Sequence, residues 1–184
     1  MANVVIVVDT LRGFLEAGYP LYCGPAARSV VGPIQKLLER ERAAGSRIIY
    51  VADSHAPDDA EFRMFAPHCI QGSAEAEVIP ELAPHPGDTV LRKTRFSGFF
   101  GTGLAGRLEA IRPAKVIVCG VCSDICVLHT VADARNRDYE VEVPAACVAS
   151  FDPEAHRWAL RHMERVLGAK IVGNGGRVPG VERP

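Results

Sequence analysis

A continuous β-branched run near the start of the chain constrains its fold more than any other feature. Val4–Val8 reads VVIVV, with no polar residue to mark a solvent-facing side. Strands of parallel sheets, which helices cover on both faces, have this composition. The run therefore predicts an α/β protein with a parallel sheet at its centre.

Short apolar runs alternate with helical patterns along the rest of the chain. Gly45 marks a helix end, and the pair Asp152-Pro153 marks a helix start. This alternation predicts a three-layer αβα, Rossmann-like fold with a six-stranded, mostly parallel sheet and right-handed crossovers. The predicted strands are residues 4–8, 47–52, 89–92, 115–119, 139–144 and 170–172, and the predicted helices are residues 26–44, 102–111, 123–137 and 153–167.

Length and charge suit one small globular unit. We expect residues 1–184 to form a single domain, with an irregular Gly- and Pro-rich tail from residue 173. The net charge of −1, with both signs interspersed, offers no basic surface for nucleic acid or a membrane. No apolar run approaches the roughly 20 residues of a bilayer span, and the first residues do not read as a signal peptide. We therefore expect a cytoplasmic protein.

Chemistry-bearing side chains follow the predicted strands at their carboxyl ends, where open parallel sheets bind ligands. Asp9 follows the first strand, Asp53 the second and Lys93 the third, while Cys122 and Cys126 follow the fourth. Residues 54–87 show little periodicity, and long loops in compact domains are often functional. We expect these residues to gather at one edge of the sheet.

Cys126 lies where a buried strand turns into a predicted helix, with Ser123 or Asp124 as the expected N-cap. The positive helix end and its backbone N–H groups favour a thiolate and can stabilise an oxyanion. Asp9 can act as a general base, and Lys93 can stabilise negative charge. Taken singly, each residue also fits a structural role: a buried thiol, a turn-forming carboxylate and a solvated lysine.

A second group has the residue types of a metal site. Asp53 and His55 follow the second strand, and His68 can return from the long loop. One carboxylate and two imidazoles with open positions suit a catalytic zinc, iron or manganese ion. Glu61 is a candidate fourth ligand. The spacing of Asp-x-His is common, however, so the pattern alone is weak.

The cysteines offer one further motif. Cys119 and Cys122 form a C-x-x-C pair, which in other proteins is a redox motif or half of a zinc ribbon. No second C-x-x-C exists, and the redox motif normally opens a helix. We therefore expect reduced, mostly buried thiols at the six cysteines, Cys23, Cys69, Cys119, Cys122, Cys126 and Cys147.

Several ordered blocks over residues 4–149 resemble the isochorismatase-like cysteine hydrolases. The family's opening strand and base resemble residues 7–9 (VVD) followed by Phe14, its lysine block resembles residues 93–104 (KTRFSGFFGTGL), and its nucleophile block resembles residues 120–127 (GVCSDICV). Residues 53–55 (DSH) and 67–72 (PHCIQG) are similar to the metal-binding blocks of nicotinamidases. Among the members of this family, the chain is most similar to the nicotinamidases.

The resemblance implies a mechanism. Asp9 would be the general base, Lys93 a permanent cation and Cys126 the nucleophile that forms a thioester. A cis peptide would precede Cys122, and the backbone N–H groups of Cys122 and Cys126 would form the oxyanion hole. The reaction implied is hydrolysis of nicotinamide to nicotinate and ammonia, by a homo-oligomer.

The resemblance also implies a cofactor and a pocket. A divalent metal, zinc before iron or manganese, would be held by Asp53, His55 and His68, and it would bind the pyridine nitrogen of the substrate. The ring would pack between Phe14 and Phe65.

Some positions depart from the family pattern. Leu11, Arg12 and Gly13 stand where the family often has glutamine, asparagine and aspartate, and Phe65 replaces a common tryptophan. We expect both changes to line the pocket and to affect substrate choice. Two alternatives remain: a hydrolase of another small amide, carbamoyl or ureido compound, and a non-catalytic α/β domain that binds a small molecule or a metal.

Overall fold

A parallel sheet forms the centre of the protein, as seen in a computed structural model that describes residues 2–173. All strand pairs are parallel, and the order is β3-β2-β1-β4-β5-β7, with β6 beside β4. The predicted fold class is confirmed, and the two-residue β6 adds a seventh strand to the six expected. The strands are β1 (Val4–Val8), β2 (Arg47–Asp53), β3 (Thr89–Lys93), β4 (Val116–Val121), β5 (Val141–Pro144), β6 (Val148–Ala149) and β7 (Lys170–Val172).

Helices cover both faces of this sheet and create two apolar cores. One core packs α1, α2 and α3 against the sheet, and the other packs α4, α5 and α6 against the opposite face. Within residues 2–173, no helix has the length and apolar character to cross a membrane. The helices are α1 (Arg12–Leu15), α2 (Gly24–Arg28), α3 (Val31–Ala43), α4 (Leu104–Ile111), α5 (Cys126–Arg135) and α6 (Pro153–Arg165).

The β-branched run forms β1 near the middle of the sheet, as its composition requires. Val5 and Val7 belong to the first core, while Ile6 and Val8 belong to the second. Successive strand residues point to opposite faces, so a strand covered on both sides needs apolar residues at every position.

Two predicted helices differ from the structure. The helix expected over residues 26–44 is split into α2 and α3, because Pro33 cannot donate to the carbonyl of Ser29 and its ring would clash with it. Neither Ser123 nor Asp124 caps α5: the helix begins at Cys126 after Ile125, which makes no side-chain cap. The N–H of Ser123 instead donates to the carbonyl of Ala149, 2.8 Å away.

The long loop over residues 54–87 contains only short 3-10 turns, in agreement with its weak periodicity. These turns are Ala60–Arg63, Ala74–Ala76 and Pro80–Leu82. The Gly- and Pro-rich tail from residue 174 onward lies outside the described residues.

The strand order reverses between β1 and β4, and a crevice opens there at the carboxyl ends of the strands. Gly120 lets β4 approach β1 closely at this point. Its φ is +118°, and a Cβ placed on it would lie 1.9 Å from the carbonyl oxygen of Val8. Only glycine fits such a position.

Candidate active site

Asp9, Lys93 and Cys126 lie together beneath this crevice. Lys93 Nζ lies 2.8 Å from Asp9 Oδ2, and it donates a hydrogen bond of 3.5 Å to Cys126 Sγ. A carboxylate oxygen of Asp9 lies within 4.8 Å of the Cys126 sulfur. All three side chains are buried. The structure therefore assembles the predicted trio at one point.

Sheet register places Lys93 beside the predicted metal carboxylate. Asp53 and Lys93 are paired residues at the ends of β2 and β3, so their side chains leave the sheet on the same face. Lys93 Nζ donates to Asp53 Oδ1 at 2.5 Å, while the N–H of Asp53 donates to Asp9 Oδ1 at 2.9 Å. One buried ammonium group thus contacts two buried carboxylates.

Burial sets the protonation states of the trio. Burial and repulsion from Asp53 raise the pKa of Asp9 to about 6, although Lys93 opposes the shift. Burial also raises the pKa of the Cys126 thiol, and attraction by Lys93 does not overcome it. Burial lowers the pKa of Lys93, but the carboxylates of Asp53 and Asp9 outweigh it and hold this pKa above its ordinary range. Burial of Cys126 thus favours the neutral thiol, whereas its position at the start of a helix and the charge of Lys93 favour the thiolate.

The turn before α5 leaves two backbone donors near the sulfur. The peptide bond between Val121 and Cys122 is cis, as the family resemblance implied. Within residues 2–173, the N–H groups of Cys122 and Cys126 donate to no protein acceptor. Both residues line the cavity described below. These two N–H groups are therefore available to a ligand oxygen.

Next to the trio, the predicted metal ligands converge. Ligand atoms of Asp53, His55 and His68 all lie within 4.8 Å of one another. Asp53 Oδ2 lies 3.7 Å from His55 Nε2 and 3.9 Å from His68 Nε2. Glu61 Oε1 lies 3.9 Å from His68 Nε2, so the fourth candidate also reaches the cluster. All four residues are buried.

The donor set fits a divalent cation. His55 Nε2 and Glu61 Oε2 are buried, and neither has a hydrogen-bond partner in the described part of the chain. Buried polar atoms without partners are rare and are explained by an ion or a water. Asp9, Asp53 and Glu61 bring three carboxyl groups together, and Lys93 supplies one positive charge. A divalent ion would offset the remaining negative charge.

Contacts with three residues that the sequence analysis did not single out as site residues hold the metal cluster in place. Asp59 Oδ2 lies 3.1 Å from His55 Nδ1, and Asp59 in turn accepts hydrogen bonds from Arg95 at 2.9 and 3.2 Å. His68 Nδ1 lies 2.9 Å from the carbonyl oxygen of Ala66. Such contacts turn the other ring nitrogen toward a metal. The signal in the sequence was an aspartate four residues after His55.

A cavity joins the sulfur to the metal cluster. It encloses about 370 Å³ of empty space, part of it open to solvent. Phe14 and Phe65 line it, as predicted, and Phe96 extends the aromatic wall, with its ring 6.2 Å from that of Phe65. The full lining comprises Asp9, Phe14, Leu21, Asp53, Glu61, Phe65, His68, Phe96, Val121, Cys122, Ile125 and Cys126.

The expectation that residues 11–13 line the pocket is wrong. Leu11 is fully buried and forms a bridge with Val78. Arg12 pairs with Glu16 at 2.8 Å on the surface, and Gly13 packs against Cys69. The chain turns into α1 directly after Thr10, which directs these residues away from the cavity. Only Phe65, the other departure, contributes to its wall.

Comparison with known proteins agrees with this geometry. The model of the isochorismatase domain matches residues 3–173. The nicotinamidase/pyrazinamidase of Bacillus subtilis superimposes with a TM-score of 0.89, at 34% identity, over 94% of this chain and 100% of that one. The N-carbamoylsarcosine amidase of Thermoplasma acidophilum superimposes with a TM-score of 0.84, at 39% identity, over 93% of this chain and 95% of that one. The pyrazinamidase of Pyrococcus horikoshii in complex with zinc superimposes with a TM-score of 0.87, at 27% identity, over 94% of this chain and 99% of that one. The chain therefore belongs to the isochorismatase family of hydrolases.

Proposed function

We propose that this isochorismatase-family amidohydrolase converts nicotinamide to nicotinate and ammonia through a thioester on Cys126, with a divalent metal, zinc, at Asp53, His55 and His68. The cavity carries this proposal, because one aromatic-walled space reaches both the sulfur and the metal cluster. The named similarity to a nicotinamidase and to a zinc-bound pyrazinamidase supports it.

The charges around the cavity favour a neutral substrate. Its lining holds the carboxyl groups of Asp9, Asp53 and Glu61, and it contains no lysine or arginine among the described residues. A substrate with its own carboxylate, such as ureidoacrylate or N-carbamoylsarcosine, would find no cationic side chain in this lining, and the proposed metal would be its one positive partner. An uncharged heteroaromatic amide would instead pack against Phe14 and Phe65 without an unpaired charge.

Acylation begins with a proton transfer. Asp9 takes the proton of the Cys126 thiol, and the resulting thiolate attacks the carboxamide carbon. The N–H groups of Cys122 and Cys126 stabilise the oxyanion. Asp9 then returns the proton to the leaving nitrogen, and ammonia departs.

Deacylation uses the same base. Asp9 removes a proton from water, and the hydroxide attacks the thioester carbon. Asp9 then returns its proton to the departing Cys126 sulfur, which restores the thiol, and the product leaves as nicotinate after losing its own proton. Lys93 remains protonated throughout and stabilises negative charge on the sulfur and on Asp9. When bound, the metal would orient the substrate through its ring nitrogen and polarise it.

The direct test is ammonia release from nicotinamide by the purified protein. We expect turnover that a chelator removes and added zinc restores, and no turnover by Cys126→Ala. Cys147→Ala, at a buried thiol outside the cavity, serves as the matched control. Faster hydrolysis of ureidoacrylate or N-carbamoylsarcosine would keep the cysteine hydrolase but refute the substrate. No hydrolysis of any small amide would favour a binding domain.

The assembly and the cell compartment are also part of the proposal. We expect a homo-oligomer in the cytoplasm. A molecular mass in solution equal to the 19.8 kDa of one chain would contradict the oligomer.

A further inference from the structure

Two cysteines that take no covalent part in the proposed reaction lie in contact beside the nucleophile turn. Cys23 Sγ lies 3.4 Å from Cys122 Sγ, and both side chains are buried. The two residues are 99 positions apart, with Cys23 directly before α2 and Cys122 directly after β4. This is the one thiol–thiol hydrogen bond in residues 2–173. The C-x-x-C partner of Cys122 in the sequence, Cys119, bonds elsewhere, to the carbonyl of Ile6.

We propose that Cys23 and Cys122 form a reversible disulfide in the presence of a hydroperoxide, and that this modification switches the hydrolase off. The loss of activity rests on the proposed function, whereas formation of the bond does not.

The geometry leaves a small movement to make the bond. Because an S–S bond is about 2.05 Å long, the two sulfurs must approach by roughly 1.4 Å from their contact distance. Cys23 is held by its backbone, since its N–H donates to the carbonyl of Phe14 at 2.9 Å. Cys122 lines the cavity, where a small oxidant can enter from solvent. We expect Cys122 to make most of the movement.

Movement of Cys122 reaches the nucleophile directly. Its carbonyl accepts hydrogen bonds of 3.1 Å from the N–H groups of both Ile125 and Val127, the neighbours of Cys126. Its own N–H is one of the two proposed oxyanion donors. A bond that draws Cys122 toward Cys23 therefore shifts the oxyanion site relative to the Cys126 sulfur.

The chemistry balances with hydrogen peroxide, the simplest hydroperoxide, as the oxidant. A peroxide that enters the cavity meets Cys122, and Cys23 lies one sulfur contact, 3.4 Å, beyond it. The hydrogen bond with Cys122 lowers the pKa of the Cys23 thiol, against the effect of burial, so Cys23 is the sulfur that attacks. Its thiolate breaks the O–O bond, forms a sulfenic acid and releases hydroxide, which takes up a proton as water. Cys122 then attacks the Cys23 sulfur, forms the S–S bond and displaces a second water. Two thiols lose two electrons, and one peroxide gains them.

The first experiment detects the disulfide bond itself, in a Cys126→Ala background that removes the catalytic sulfur. After hydrogen peroxide, we expect the intact mass to fall by two hydrogens per chain, a cross-linked peptide joining Cys23 to Cys122, and full reversal with dithiothreitol. Adding Cys23→Ser should abolish the bridge, and adding Cys147→Ser should not. Circular dichroism confirms that each variant is folded. Oxygen adducts without the bridge, or a bridge between other cysteines, would overturn the proposal.

The second experiment measures the effect of the disulfide on the rate of nicotinamide hydrolysis, in the protein with Cys126 present. We expect peroxide to reduce nicotinamide hydrolysis by roughly 100-fold, the scale of losing an oxyanion donor, with recovery in dithiothreitol. Cys23→Ser should keep its rate at the same dose. A bridge that forms without loss of rate would refute the switch. A protein without amidase activity would refute the proposed function, while the mass measurement would still decide whether the bond forms.

Discussion

Replacing Lys93 with methionine tests whether the buried charges of the site are mutually dependent. The Lys93 side chain has no solvent exposure, and those of Asp9 and Asp53 are 1% and 5% exposed. Lys93 Nζ lies 2.8 Å from the first carboxylate and 2.5 Å from the second. Methionine fills similar space without a charge, so the substitution leaves two buried carboxylates without their cation.

Removing one partner of a buried ion pair costs about 3–5 kcal/mol of folding free energy. For a chain of this length, each kcal/mol lowers the midpoint of thermal unfolding by about 2–4 °C, so we expect a fall of roughly 6–20 °C. The carboxyl groups can relieve their repulsion by taking up protons. The loss should therefore be larger at pH 8 than at pH 5.

A surface pair supplies the matched control. Lys115 Nζ lies 2.8 Å from Glu142 Oε2, the same separation as between Lys93 and Asp9, but the Lys115 side chain is 37% exposed. Because exposed pairs contribute about 0–1 kcal/mol, Lys115→Met should cost far less than Lys93→Met. Urea unfolding of chelator-treated proteins measures the loss of unfolding free energy in each variant. Equal costs for the two variants, or a Lys93→Met loss below about 1 kcal/mol with no pH dependence, would refute the reasoning.

Two further results are expected. Asp9 must be ionised to accept the Cys126 proton, and burial raises its pKa to about 6. We therefore expect kcat/KM for nicotinamide to fall as pH decreases through about 6, and a profile flat from about pH 5 to 8 would exclude Asp9 as the base. Since Asp59 orients His55, Asp59→Ala should weaken zinc binding about 10–100-fold in a chelator competition. Asp58→Ala, at an exposed neighbour, should leave zinc affinity unchanged, and equal affinities of the two variants would remove Asp59 from the metal site.

The position of the site could be predicted from the sequence because sheet topology determines it. Asp9, Asp53 and Lys93 each lie at or directly after the end of a β-strand, and parallel neighbours place such positions at one edge. His68 lies in an irregular loop, so the residues alone offered it only as a candidate third ligand, and the family resemblance strengthened that assignment. The structure brings all four residues together.

Contacts made by irregular segments could not be predicted in the same way. Cys23 meets Cys122 only because the turn before α2 folds back over the end of β4, and no short-range pattern encodes that approach. The break between α2 and α3 had a local signal in Pro33, which the helical periodicity obscured. The start of α5 had none, because the contact of Ser123 with Ala149 is long-range.

Asp53 links the catalytic trio to the metal cluster, and this limits what substitutions can show. Its Oδ1 accepts the hydrogen bond of Lys93, while its Oδ2 faces His55 and His68. Asp53→Asn would therefore weaken the metal site and also remove half of the charge that holds Lys93. His68→Asn changes the metal side alone, since His68 makes no contact with Lys93 or Asp9 among its polar contacts in the described structure. A metal requirement is thus better measured at His68 than at the carboxylate shared by both halves of the site.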